Sequence, residues 1–203
     1  GFFGWPNRGG WSARAGIGRN PYAIDFTTGV SSSGSAAALA ANLTAGAVGM
    51  ETYGSIVMPA SLCGVVGLKP TLGLTSRSGV IGISFSRDVT GPMGRTVADV
   101  ATLLGGLVGV DRRDPFTSPS AGHLHHDYRK FLDPDGLRGA RIGMWRGLEE
   151  NPDYGARKVA FHAIRRTLPE LGATLIEPID LSAAMRSIDG HIGVMLTEFR
   201  HGL

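Results

Sequence analysis

Ser31 and Ser55 sit in two runs of small and hydroxyl-bearing residues. One is Gly29-Val30-Ser31-Ser32-Ser33-Gly34-Ser35-Ala36-Ala37-Ala38, the other Glu51-Thr52-Tyr53-Gly54-Ser55-Ile56. Between Asp25 and Lys69 the only charged residue is Glu51. So little charge over that length means burial, and buried hydroxyls must find hydrogen-bond partners. A core built for stability alone would use Val, Leu and Ile. Serines set between glycines point instead to a place where hydroxyls and backbone N–H groups are aimed at something. Three familiar chemistries can be tested on the spacing. Gly49 to Ser55 has the glycine spacing of a phosphate-binding loop, but the lysine required before the serine is missing, and with it the charge that would meet a phosphate. The Gly-x-Ser-x-Gly elbow occurs around neither serine. A Ser–His–Asp arrangement using His162 or His191 has no local support in the sequence.

Two further candidates have plainer readings. His123, His125 and His126 with Asp127 form a small histidine-rich tract, which in a connection full of breakers reads as a solvated loop ahead of a metal site. Cys63, in Leu62-Cys63-Gly64-Val65-Val66, reads as a packed core thiol ahead of a nucleophile.

The two serine runs and what lies between and around them resemble the amidase signature family. The resemblance rests on the Gly/Ser-rich run, on Thr52-Tyr53-Gly54-Ser55-Ile56, on Pro59-Ala60 and on Gly64-Val65-Val66-Gly67-Leu68-Lys69-Pro70. Upstream it includes Trp11-Ser12-Ala13-Arg14 and Arg19-Asn20-Pro21-Tyr22. Downstream it includes Ser84-Phe85-Ser86-Arg87-Asp88 and Gly91-Pro92-Met93-Gly94-Arg95-Thr96-Val97-Ala98-Asp99, and more weakly Leu137 to Gly143. The Glu-Thr-Tyr-Gly-Ser-Ile-Val form is similar to the peptide amidase-like branch.

The resemblance implies a Ser–cis-Ser–Lys mechanism. Ser55 would be the nucleophile and Ser31 the bridging serine, with the Val30–Ser31 peptide cis. The N–H groups of Thr52, Tyr53, Gly54 and Ser55 would line an oxyanion hole, and Ser32 would orient Ser31. A serine hydroxyl needs a base to become a nucleophile; Ser31 would accept its proton and pass its own to a neutral lysine. Losing one oxyanion donor costs roughly a hundredfold or more. The implied activity is hydrolysis of a small-molecule carboxylic amide, at a C–N bond other than a peptide bond, through an acyl-enzyme. No cofactor or metal is implied. For Ser32, Ser33 and Ser35 the residues themselves favour capping and turn formation.

The family's lysine belongs to a segment upstream of the serine cluster. Lys69, Lys130 and Lys158, the only lysines here, stand elsewhere in the pattern. The sequence is therefore expected to be an internal fragment, a split-gene product or a truncation, with sheet edges open to a second copy or to the missing segments. Tyr53 stands where Gly, Asp or Asn is usual and is expected to narrow the acyl side of the pocket. Two other readings stay open. One is the amide-transferring subunit of a glutamyl-tRNA amidotransferase, which would need an ammonia source and an RNA-binding partner. The other is a catalytically inactive scaffold that keeps the turn and binds acyl groups or a partner.

The elements that must position these residues follow from local signals. Residues 1–30 read as loop. A helix is expected from Ser32 or Ser33 to about Ala45, because serine caps and alanine propagates. Gly46 to Met50 reads as a buried strand, Glu51 to Gly54 as a turn, and Ser55 as the opening of a short helical segment. Gly64 to Leu68 reads as a strand and residues 71–92 as turns and short strands. Thr96-Val97-Ala98-Asp99 opens a helix reaching about Leu107, in the manner of a capping box. Arg141 to Trp145, then about Pro152 to Leu171, then Ala173 to Ile176 form a strand–helix–strand unit. A last helix is expected near Ile192 to Phe199.

Together these predict an α/β fold, a mixed twisted sheet flanked by helices, in a single incomplete domain. Its parts are a core over residues 1–109, a surface connection over 110–136 and a second α/β portion over 137–203. A hydrophobic fraction of 42% in 203 residues supports a real core. A net charge of +3, with arginines scattered along the chain, argues against a nucleic-acid partner. The uncharged run Phe26 to Met50 is too rich in Ser, Thr, Gly and Asn for a membrane span. No secretory leader opens the sequence, and the single cysteine excludes an internal disulfide. Both fit a cytoplasmic location.

Overall fold

A computed structural model of the chain describes residues 9–145, 155–186 and 190–202. Two compact units are present: Gly1–Lys130 with Val194–Leu203, and Phe131–Gly193.

In the first unit, strands β1 (Trp11–Ser12) and β2 (Gly16–Ile17) form a small antiparallel ribbon where the sequence reads as loop. Helix α1 covers Ser33–Ala40 and strand β3 Ala47–Glu51. Helix α2 covers Val57–Leu62 and strand β4 Val66–Gly67. Strand β5 (Val89–Gly94) and helix α3 (Val97–Leu107) follow. The sheet runs in the order β3-β5-β4, antiparallel throughout, with Glu51 opposite Val89 and Met50 opposite Thr90. Against it lie α1 and α2; Ala36 and Leu39 of α1, Ala60 of α2 and the residues that flank α2, Ile56 and Cys63, pack with Met93 of β5 into a sealed core. Helix α3 packs on β5 and β4.

Other outcomes also differ from the sequence reading. Helix α1 stops at Ala40, short of Ala45, because Asn42 takes a left-handed φ of 59° and lets the Asn42 and Leu43 N–H groups turn back to the Leu39 and Ala38 carbonyls. The central strand β5 falls in and just beyond the stretch read as turns and short strands. Gly91, Pro92 and Gly94 look like breakers, yet every residue of β5 is buried. A Cβ on Gly91 would meet the Leu68 carbonyl at 2.2 Å, so close packing demands the glycine there. Within 110–136, two 3-10 turns form at Pro115–Ser120 and Arg129–Phe131, and Asp114 and Thr117 are buried. The expected capping box of α3 is present: Thr96 Oγ1 accepts from the Asp99 N–H at 3.1 Å, and Asp99 accepts from the Thr96 N–H at 2.9 Å.

In the second unit, strand β6 (Arg141–Gly143), helix α4 (Gly155–Glu170) and strand β7 (Thr174–Ile176) make the expected strand–helix–strand unit, its strands parallel. Helix α5 (Ser182–Arg186) was not foreseen. Helix α6 (His191–Gly202) follows; its residues from Val194 belong to the first unit. Strands alternate with helices and both parallel and antiparallel pairing occur, so the α/β class is as expected.

Candidate active site

Ser31 and Ser55 reach one place from different elements. The Val30–Ser31 peptide is cis. The next residue, Ser32, donates its N–H to the Ser55 carbonyl at 3.1 Å, seating the start of α1 against the turn between β3 and α2. Both Ser31 and Ser55 are half-buried. Ser32 stands at the N-cap position of α1, but its hydroxyl makes no capping bond. It donates to the Met50 carbonyl and accepts from the Met50 N–H, each at 3.1 Å, so it holds α1 to β3. Ser35 adds a bond to the Val48 carbonyl at 2.8 Å. The capping reading of these two serines is thus corrected: their hydroxyls stitch helix to strand. Gly49 permits the approach, since a Cβ there would lie 2.9 Å from both Ser32 Oγ and Ile56.

Two buried carboxylates brace the turn Thr52-Tyr53-Gly54-Ser55. Glu51 is 4% exposed and accepts the Ile56 and Val57 N–H groups at 2.8 and 3.0 Å. It caps α2 just beyond Ser55, where negative charge also suits the helix dipole. Asp88 is 3% exposed; its Oδ1 accepts the Thr52 hydroxyl at 2.5 Å, and its Oδ2 accepts the N–H groups of Ile83 and Ser84 at 2.6 and 2.9 Å. Gly54 has a φ of 80°, and its carbonyl accepts from the Met58 N–H at 2.8 Å. Tyr53 stands at the tip, 62% exposed.

The braces Asp88 and Glu198 were not singled out from the sequence. Asp88 lies in the quoted Ser-Phe-Ser-Arg-Asp run, within the stretch read as turns and short strands, where no local signal marks it. Glu198 of α6 accepts the Ser84 hydroxyl and, at 3.2 Å, the Ser86 N–H. Nothing local could have paired residues so far apart in sequence. Burial works against ionisation of Glu198, but the bonds from Ser84 and Ser86 prevail and hold its carboxyl below the usual range.

The other candidates have surroundings of their own. Cys63 is sealed in the core, its thiol pushed up by burial and within reach of the Thr28 carbonyl at 3.9 Å. His125 meets the Tyr128 ring edge-on at 5.8 Å, with Nδ1 3.3 Å from Lys130 Nζ. Among the described residues no cluster of His, Cys, Asp or Glu is arranged to hold a metal ion. His162 is exposed on α4, and the His191 side chain lies outside what is described. Among the described residues no helix is long and apolar enough to cross a membrane.

Comparison with known proteins identifies the family. The family described as Amidase matches residues 10–201. The chain is 47% identical to a probable amidase of Arabidopsis thaliana over 136 residues, 66% of this chain and 27% of that protein. It is 45% identical to the A-type subunit of the glutamyl-tRNA(Gln) amidotransferase of Thermosynechococcus vestitus over 161 residues, 78% of this chain and 32% of that protein. The native peptide amidase of Stenotrophomonas maltophilia superposes with a TM-score of 0.85 at 44% identity, covering 98% of this chain and 40% of that one. The chain thus spans about a third of the curated relatives it matches. A match that runs from residue 10 to residue 201 makes this chain a member of the amidase signature family.

Proposed function

We propose that the protein hydrolyses a small-molecule carboxylic amide through an acyl-enzyme on Ser55. The observation that carries this reading is the seating of the Ser31-Ser32 segment on the nucleophile turn, through the 3.1 Å bond between Ser32 and Ser55. Ser55 Oγ attacks the amide carbonyl carbon and forms the new C–O bond. Its proton passes to Ser31 Oγ, while the Ser31 proton goes to a neutral lysine supplied from outside these residues. The N–H groups of Thr52, Tyr53, Gly54 and Ser55 receive the negative charge on the former carbonyl oxygen. The C–N bond then breaks, and the relay returns a proton to the departing nitrogen. Water, deprotonated by the same relay, attacks the seryl ester, releases the acid and restores Ser55. Apart from the substrate and that water, the reading calls only on groups of the protein.

A second reading is supported by the 45% identity to the amidotransferase polypeptide of Thermosynechococcus vestitus. The peptide amidase superposes with the higher TM-score, 0.85 against 0.78 for the equivalent amidotransferase polypeptide of Thermotoga maritima, which supports hydrolysis. Turnover of a small amide with no other polypeptide present separates the two.

The test is mass spectrometry of the full-length protein after exposure to a fluorophosphonate. Labelling at Ser55 is expected, with loss of both label and turnover in Ser55→Ala by several orders of magnitude. Turnover surviving in Ser55→Ala would sink the reading. The 203-residue chain taken alone is expected to label far more slowly, for want of the lysine.

A further inference from the structure

We infer that Asp88 is a positioning residue for this reaction: through the Thr52 hydroxyl it fixes the turn whose N–H groups and nucleophile do the chemistry. The inference rests on the reading of Ser55 above and names a residue that reading does not use.

Thr52 and Asp88 lie immediately beyond the last paired residues of the β3–β5 ladder, Glu51 and Val89. Past that point the ladder gives way to the nucleophile turn on one side and an irregular loop on the other. Where backbone pairing ends, the Thr52 to Asp88 side-chain bond takes over. Thr52 is 7% exposed and Asp88 3%, so the bond sits where solvent competes poorly and a charge-assisted hydrogen bond is strong.

Asp88 is itself held on its other oxygen. The Ile83 and Ser84 N–H groups both donate to Oδ2, which fixes the carboxylate plane and leaves Oδ1 facing Thr52. The loop that supplies them is anchored again from α6, where Glu198 takes the Ser84 hydroxyl and the Ser86 N–H. Glu51 clamps the far side of the same turn through Ile56 and Val57. The four residues from Thr52 to Ser55 are thus gripped at both ends by buried carboxylates. Oxyanion donors work only if they already point where charge will develop. A displacement of about 1 Å can cost about 10²-fold in rate. A free Thr52 hydroxyl would release one end of the turn.

The experiment compares Thr52→Val, Thr52→Ala and Thr52→Ser in the full-length protein, by fluorophosphonate labelling rate at Ser55 and by steady-state kinetics on a small amide. Valine and alanine remove the hydroxyl; serine keeps it and loses only the methyl. The expected result is a fall of about 10²-fold in kcat and labelling rate for valine and alanine with KM little changed, and recovery to within a few-fold of wild type for serine. Adding Asp88→Asn to Thr52→Val is expected to lower kcat no further, because Asp88 acts through Thr52. The inference is overturned if the valine and alanine variants turn over like wild type, if serine fails to restore the rate, or if Asp88→Asn still lowers kcat in the Thr52→Val background. A wild-type protein that turns over without labelling at Ser55 overturns the nucleophile assignment as well, which marks that failure apart from the others.

Discussion

Glu51 breaks the charge-free run of the sequence, and the fold gives it a specific task. A carboxylate that is 4% exposed is costly unless its oxygens are used. Here one oxygen takes the first two N–H groups beyond Ser55, at the start of α2. Removing it leaves the buried Ile56 N–H without an acceptor, at about 1–3 kcal/mol, and frees the part-buried Val57 N–H as well. Glu51→Ala is therefore expected to lower the urea midpoint markedly, and Glu51→Gln, which keeps one acceptor oxygen, to lower it less. An alanine variant with an unchanged midpoint would show that the capping bonds contribute nothing. At this scale the site was partly legible. Ser31 and Ser55 were singled out by their positions in the motif that resembles the amidase signature family. The roles of Ser32 and Ser35 were misjudged, because a serine before a helix looks the same in sequence whether it caps that helix or reaches across to a strand.

Elements in this chain end by local rules that act on a few residues. Helices α1, α2 and α4 all close the same way. A left-handed residue (Asn42, Gly64, Gly172) follows the last turn, and two N–H groups fold back on the helix carbonyls. Glycine announces two of these ends; asparagine announces the first less clearly, and the expected helix overran it. The start of α3 is the converse case, since Thr96 and Asp99 satisfy each other's backbone N–H groups three residues apart. Thr96→Ala is expected to destabilise the protein by about 1 kcal/mol, read as a lower thermal midpoint. Thr96→Ser, which keeps the hydroxyl, is expected to stay close to wild type. Equal midpoints for alanine and serine would deny the box any weight. Strand β5 shows where local rules fail: Gly-Pro within it reads as a break, but its neighbours leave no room for a Cβ at Gly91.

Across the first unit, long-range ion pairing ties segments that helix and strand periodicity leave unassigned. Arg77 meets both oxygens of Asp114 at 2.9 and 3.0 Å, donates its own N–H to the same carboxylate, and lies 4.4 Å over the Phe116 ring. Both side chains are largely buried. The Arg77 bonds hold the Asp114 carboxyl below the usual range, against the upward push of burial. A folded-state pKa that is depressed contributes stability above the unfolded value of about 3.9, and that stability is lost as pH falls through the folded value. Asp114→Asn is therefore expected to cost stability at pH 7, with the gap to wild type narrowing as pH falls below about 4. Urea titrations across that range check it. A gap that is constant with pH would mean the pair's charge is irrelevant.

The sequence alone determined the α/β class and the family, because these depend on residue type, short spacing and periodicity, which survive in one dimension; Ser31 and Ser55 were singled out through that resemblance. It also determined the strand–helix–strand unit from Arg141 to Ile176 and the cap of α3, both local patterns. Only the tertiary structure decided that β5 is the central strand, that Ser32 lies against Ser55, and that Asp88 and Glu198 brace the turn and its neighbouring loop. The physical reason is that hydrogen-bond partners of buried polar groups are chosen by proximity in space. A carboxylate such as Glu198 meets Ser84 across more than a hundred residues, and no pattern along the chain encodes that meeting.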